Sequence, residues 1–338
     1  MKFKPNNLFP YYLYWVCERQ NIFWNRYNCI LPWTDDEVFH INKFTNVYKV
    51  LDRSSQFEIK NVIYNNKGLN NDYSSEDIFY RILIYKHFNL PFTWEIIEKE
   101  FGDITTDVKL KDISNFIKDY CSLNIDYKPY NNAYMLTSAF LKGENCKYSY
   151  LKGNGWKKYE YYFHIFKKEI FDNGFIYKIL QSSSLEDMFN KFKSISSFAD
   201  FLSYQYIIDM NYSQLFNFDE NSFSIAGLGT VRGIERVFDI EGEPDYSLII
   251  NWVRENFEQL LEDYNKNIGI KLEFISLPGR LPTNVDFSNC FCETDKYLRT
   301  SNINTDNKNI EGKRIKNKFK INPVKIEYVF PPKWGIIF

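Results

Sequence analysis

No run in this sequence approaches the roughly 18 consecutive apolar residues that a membrane-crossing helix requires, so a helical membrane span is excluded. The opening residues, MKFKPNNLFPYYLYWVCERQ, hold neither a clean apolar stretch nor a small-residue cleavage site, and do not read as a signal peptide. Cysteine pairing motifs are missing as well. Cys17, Cys29, Cys121, Cys146, Cys290 and Cys292 include no C-x-x-C pair, and Cys290 and Cys292 stand too close together for an ordinary disulfide. No Cys/His spacing suits zinc. Reduced thiols in a cytoplasmic chain with no metal and no cofactor are therefore expected. Charge of one sign is also lacking. Lys and Arg number 42 against 43 Asp and Glu, for a net charge of −1, so no global basic field announces nucleic acid. Any DNA contact must come from a local basic patch.

Aromatic residues, by contrast, make up 19% of the chain, while Gly contributes only 14 of 338 residues, which predicts a bulky, well-filled interior. The patterning is helical. Thr34-Asp-Asp-Glu37, Ser74-Ser-Glu-Asp77 and Ser184-Leu-Glu-Asp187 read as helix starts. Phe198, Phe201, Leu202 and Ile208 recur at helical spacing, and Ile250, Val253, Phe257, Leu260 and Leu261 form the buried stripe of a helix from Ser247 to Tyr264. Residues 65–72, 142–158 and 301–318 read as loops, and 319–338 as an appended, strand-like or irregular tail. The expected architecture is all-α, with a helical domain over 1–300 and a linker and tail over 301–338.

Four constellations are candidates for chemistry. In Ser224-Ile-Ala-Gly-Leu-Gly-Thr-Val-Arg-Gly-Ile-Glu-Arg-Val-Phe238, Gly227 and Gly229 would allow a tight turn to approach a phosphate, which a Cβ would keep away. Thr230 would cap the following helix, and Arg232 and Arg236 would add positive charge. A dinucleotide loop and a plain helix–helix turn remain open as rival readings. Upstream, Asp209 sits near the end of an aromatic helix with Gln205 one turn before it; a carboxylate there is paired, capping or functional. From Asp286 to Arg299, a helix would place Asp286, Asn289, Glu293 and Lys296 on one face, beside an Asp295–Arg299 pair. Near the N-terminus, aromatics alternate with Arg19, Arg26, Asn46, Arg53 and Gln56 around Trp33, a mixture that suits base stacking and phosphate contact as well as a core with satisfied polar groups.

The segments W-x-x-E-R-x-x-I, P-W-T-x-D, K-F-T-N-V-Y and L-D-R-x-S-Q within 15–56 resemble a family of phage, bacterial and fungal proteins. These are described as the helical domain of 5-hydroxymethyl-deoxyuridine DNA kinases and as α-glutamyl/putrescinyl thymine pyrophosphorylases. Tyr204-Gln-x-x-x-Asp209, Ala226 to Gly233 and Phe291 to Arg299 are similar to the rest of its pattern. The resemblance covers most of 11–60 and 198–300. It departs at Leu228, where family members usually carry proline between the hairpin glycines. The resemblance implies a two-lobed fold related to helix-hairpin-helix DNA glycosylases, acting on DNA with modified pyrimidines; a monomer is expected. On that basis the leading expectation is a glycosylase, in antiphage defence, that flips and excises a hypermodified pyrimidine. Asp209, then Asp295 and Glu293, would supply the charge. Gly227, Gly229, Thr230, Arg232, Arg236, Lys296 and Arg299 would bind DNA. Arg19, Arg26, Trp33, Asn46, Arg53, Gln56 and Gln205 would line the base pocket or meet phosphate. Val231 stands where a Schiff-base lysine would be needed, so lyase chemistry is not expected. The alternatives are a transferase replacing a pyrophosphoryl group on 5-hydroxymethyluracil with an amino acid or polyamine, and a non-catalytic binder of modified DNA. The G-x-x-x-x-G-K-[ST] phosphate loop is absent, so the chain does not itself read as the kinase.

Overall fold

The computed structural model describes residues 2–67, 71–131, 147–148, 150–151, 156–268, 271–301, 318–319 and 327–337. These are overwhelmingly helical, as the periodicity implies. Parts of the three expected loops and of the tail (68–70, 142–146, 149, 152–155, 302–317, 320–326 and 338) lie outside the described residues, as does Cys146.

In chain order the first elements are β1 (Phe3–Pro5), α1 (Phe9–Tyr27) and α2 (Glu37–Ile41). Then come α3 (Arg53–Phe57), which runs on into a π-helical stretch Glu58–Ile63, α4 (Ser75–Phe88), α5 (Pro91–Phe101) and α6 (Leu110–Leu123). After these follow α7 (Lys158–Ile165), α8 (Phe175–Leu180), α9 (Leu185–Lys193) and α10 (Asp200–Tyr212). Next come α11 (Leu228–Val237), β2 (Phe238–Ile240), α12 (Tyr246–Ile268) and α13 (Asn284–Thr300), and a short 3-10 turn, Pro332–Trp334, follows among the described residues. The backbone forms two compact units. The first holds 1–52, 223–328 and 335–338, and the second holds 53–222 and 329–334.

In the first unit α13 is the central helix, with α1, α11 and α12 packed on it. Aromatic faces fill the joints: Tyr12 stacks on Phe291 with centroids 4.2 Å apart, and Phe257 meets Phe287 at 5.0 Å. The start of α13 is fixed by a capping box. The Thr283 N–H donates to Asp286 Oδ2 at 2.9 Å, and the Thr283 hydroxyl accepts from the third backbone N–H of the helix. A short antiparallel pair, Phe3 opposite Ile240 and Pro5 opposite Phe238, ties β1 to β2.

In the second unit α4 and α10 are buried on nearly every side, which a helix tolerates only when it is enclosed. Ser74 and Ser184 cap α4 and α9 as the sequence implies, each accepting from the N–H three residues on at 3.1 Å. At α2 the cap is Asp36, which accepts from the Val38 N–H at 2.8 Å, and not Thr34. The Thr34 hydroxyl instead donates to Glu18. Part of the expected tail is integrated in this unit. Gln56 pairs through both side-chain atoms with the Val329 backbone, at 3.0 and 2.8 Å. The Lys333 ammonium reaches the carbonyls of Asn211 and Ser213, where α10 ends and its dipole is negative.

The glycine segment differs most from expectation. Helix α10 ends at Tyr212, residues 213–227 are irregular, and α11 begins only at Leu228, so 224–238 is not a tight turn between two helices. Neither Gly227, at φ −71°, nor Gly229 has positive φ. The glycines of α11 serve packing. A Cβ on Gly229 would lie 2.4 Å from Cys292 Sγ, and one on Gly233 would lie 2.0 Å from the Phe291 carbonyl oxygen. Bare backbone on α11 is what lets it lie against α13. Thr230 is no cap either: it is inside the helix and buried, and its hydroxyl donates to the Ser288 carbonyl at 3.0 Å.

Candidate functional site

The first unit contains a cavity of about 460 Å³. Trp33, Phe39, Phe44 and Phe319 give it aromatic walls, and Arg19 and His40 bring the polar groups. Its volume and its balance of apolar wall with few polar groups are those of a small-molecule site.

Arg19 comes from α1 and is held on two sides. Its Nε donates to the Thr45 carbonyl at 2.8 Å and one terminal nitrogen to Asn46 Oδ1 at 2.7 Å. The remaining terminal nitrogen has no hydrogen-bond partner among the described residues, so the guanidinium keeps donors for a ligand. Asn46 is itself fixed. Its side-chain amide donates to the Leu51 carbonyl at 2.8 Å, and its backbone N–H donates to Asp52 Oδ1 at 2.8 Å. Burial pushes the Asp52 carboxyl up to about 6. The Asn46 N–H and the Arg19 and Lys49 charges oppose that rise, and Glu293 adds to it.

The segment at Thr45 joins this group to α13. The Thr45 N–H donates to Glu293 Oε2 at 3.1 Å, and Asn289 donates to the Thr45 hydroxyl at 2.9 Å. Glu293 is also ion-paired with Lys296. Burial works against the charged form of Lys296, but the carboxylate of Glu293 and other nearby anions outweigh it and raise its pKa. Arg19, Asn46, Asp52, Glu293 and Lys296 thus form one continuous polar array reaching the cavity through Arg19. Beside it, Arg26 lies over the Trp33 ring at 5.4 Å.

A second cluster joins α11 to α13. Asp295 is 1% exposed and takes the guanidinium groups of Arg236, Arg299 at 3.0 Å and Arg232 at 3.7 Å. Three cations surround one anion, and Arg232 is 58% exposed, so the surface there is locally basic despite the balanced total. Asp295 is thereby committed to its arginines.

The sequence-derived candidates thus separate. Arg19, Arg26, Trp33, Asn46, Glu293 and Lys296 are brought together, and Arg232, Arg236, Arg299 and Asp295 make the basic cluster. Arg53, Gln56, Gln205 and Asp209 belong to the second unit. Asp209 is 0% exposed and ion-paired with the buried Lys86 of α4, so it has no open face from which to act on a substrate. Removing one partner of such a pair strands the other charge. Asp209→Ala is expected to lose about 3–5 kcal/mol of unfolding free energy, read by urea denaturation. Wild-type stability in that variant would contradict the structural assignment. Asp52, His40, Phe39, Phe44 and Phe319 were not singled out from sequence. Asp52 lay within the L-D-R-x-S-Q segment and Phe44 within K-F-T-N-V-Y, while Phe319 opened the strand-like stretch 319–338 with nothing to mark it as a cavity wall.

Residues 6–306 match a family described as "5-hmdU DNA kinase, helical domain". This chain belongs to that family. Among curated proteins, the 5-hmdU DNA kinase of Bacillus phage SP10 is 25% identical to it over 308 residues. The alignment covers 86% of this chain and 45% of the phage protein, so the chain spans less than half the length of its relative. No solved structure matches it. Membership of the 5-hmdU DNA kinase helical-domain family overturns the leading expectation of a base-excising glycosylase. Both the family and the phage relative are named for a kinase, which transfers a phosphoryl group and leaves the glycosidic bond intact. The glycosylase expectation rested on the resemblance to glycosylase-related proteins together with the Gly227–Gly229 segment taken as a phosphate-binding hairpin, and Gly229 packs against Cys292 instead.

Proposed function

We propose that this chain is a DNA-modifying transferase domain that holds 5-hydroxymethyluracil in the Arg19 cavity and supports group transfer at its 5-substituent. The observation that carries this reading is an aromatic-walled cavity with a pre-oriented guanidinium at its edge. Aromatic walls take the π-face of a base, and stacking of this kind contributes about 1–3 kcal/mol per base. Arg19 supplies donors for an oxygen of the 5-substituent or the backbone phosphate. The Arg232, Arg236 and Arg299 cluster supports contact with the DNA backbone. The kinase name of the family and of the phage relative supports transfer chemistry on this base. The chain carries no phosphate-loop motif of its own, which favours a second reading as a module that recognises the modified base without reacting it.

The test is incubation of DNA containing 5-hydroxymethyldeoxyuridine, either free or pyrophosphorylated at the 5-substituent, with nucleotide triphosphate or amine as the second substrate. Nucleoside mass spectrometry reads the product. A retained base of new mass supports the transferase. Selective binding with no new mass supports the recognition module. Abasic sites, or indifference to the modification, would contradict both.

The raised pKa of Asp52 gives this reading a pH signature. Above about pH 6 its carboxylate is charged and opposes an anionic ligand at Arg19; below that it is neutral. Affinity for 5-hydroxymethyluracil DNA is therefore expected to rise as pH falls through 6, by on the order of tenfold at low salt. Asp52→Asn should flatten that step. Titration of affinity between pH 5 and 8 for both proteins checks it, and an unaltered step in the variant would show that Asp52 is not the group responsible.

A further inference from the structure

We infer that Phe319 is the wall that sets which 5-substituents the cavity accepts, an inference that rests on the base-binding reading above. The family match ends at residue 306, so Phe319 lies beyond the body this chain shares with its family. It nonetheless lines the cavity. Its placement comes from main-chain bonds: the Phe319 N–H donates to the Ile41 carbonyl at 3.0 Å, and Lys318 forms an antiparallel bridge with Asn42. The side chain can therefore change while its anchor to the end of α2 persists.

The Phe319 ring meets Trp33 with centroids 6.1 Å apart and planes at 70°, so the two rings form a corner. A flat base stacked on one ring presents its edge to the other. The size of a group on that edge is limited by the second ring. Trp33 is the fixed side of the corner, since Asn25 donates to its carbonyl at 3.0 Å and Arg26 lies over its ring. Phe39 and Phe44 are fixed too. Phe39 packs on Trp15 at 6.3 Å and on Tyr297 at 5.4 Å, and Phe44 on Phe39 at 5.0 Å, so changing them disturbs the core. Phe319 is half-buried and is the aromatic wall that can vary alone.

The test measures affinities for single-stranded oligonucleotides carrying one thymine, one 5-hydroxymethyluracil or one glucosylated 5-hydroxymethyluracil. Single strands avoid the cost of unpairing the base. The wild type is compared with Phe319→Ala, Phe319→Leu and Trp33→Ala, with thermal melts confirming that each variant folds. Phe319→Ala is expected to shift the ratio of glucosylated to hydroxymethyl affinity by about tenfold toward the bulkier base, with Phe319→Leu between it and wild type. An unchanged ratio in Phe319→Ala, while Trp33→Ala weakens all modified oligonucleotides, would overturn the specificity role and leave the base pocket standing. Binding that is indifferent to Trp33→Ala as well would overturn the base pocket, and the role of Phe319 with it.

Discussion

Gly233→Ala is expected to lose about 3 kcal/mol or more of unfolding free energy, and Gly233→Val to fail to fold. The added Cβ would sit 2.0 Å from the Phe291 carbonyl oxygen and 2.5 Å from its carbon, both backbone atoms of the central helix α13. Backbone cannot swing aside, so α11 would have to lift from α13. The gain in helix propensity from Gly to Ala, about 1 kcal/mol, is smaller than the clash. Gly229 provides the contrast. Its Cβ would meet Cys292 Sγ at 2.4 Å, a side chain that can be trimmed. Gly229→Ala should therefore be rescued in large part by Cys292→Ala, whereas no side-chain change rescues Gly233. Urea denaturation of the singles and the double reads the difference. A Gly233→Ala protein as stable as wild type would contradict the packing role, and a stable Gly229→Ala that loses only DNA affinity would restore the phosphate-contact reading of this segment.

Arg19→Ala should weaken binding to 5-hydroxymethyluracil DNA by on the order of 100-fold, since Arg19 is half-buried and a ligand in the cavity would desolvate it further, and truncating such a hydrogen-bonded charge costs about 2–5 kcal/mol. Arg19 is both the cation at the cavity and the link between Thr45 and Asn46. Arg19→Lys keeps the charge but cannot span both acceptors, so it is expected to recover only a minor part of the affinity. Binding isotherms beside thermal melts separate loss of recognition from loss of fold. Affinity within twofold of wild type in a folded Arg19→Ala protein would remove the cavity from consideration.

The helices were legible because their signals are local. Ser74 and Ser184 announce their helices by capping, and the stripe from Ile250 to Leu261 announces α12. The N-terminal candidates Arg19, Trp33 and Asn46 were legible as a set because aromatics and polar donors alternate there. The glycine segment misled because the same residue serves two purposes. A missing Cβ admits either a phosphate or a neighbouring helix, and only the position of Cys292 and Phe291 tells which. Asp209 misled for a related reason. A carboxylate in an aromatic helix is either functional or paired, and its partner Lys86 lies 123 positions away on α4. Phe319 was legible only as the start of a strand-like stretch, since its place in the cavity depends on the Lys318 bridge to Asn42 and its own bond to Ile41, which no local pattern encodes.

The central claim is that the cavity walled by Trp33, Phe39, Phe44 and Phe319 receives the modified pyrimidine. Photocrosslinking with a single-stranded oligonucleotide bearing one 5-iodouracil, followed by peptide mass spectrometry, tests it most directly. The crosslink is expected on Trp33 or Phe319 and should be suppressed by competing DNA that carries 5-hydroxymethyluracil but not by the thymine equivalent. Crosslinks confined to other peptides, or equal competition by both DNAs, would contradict the account.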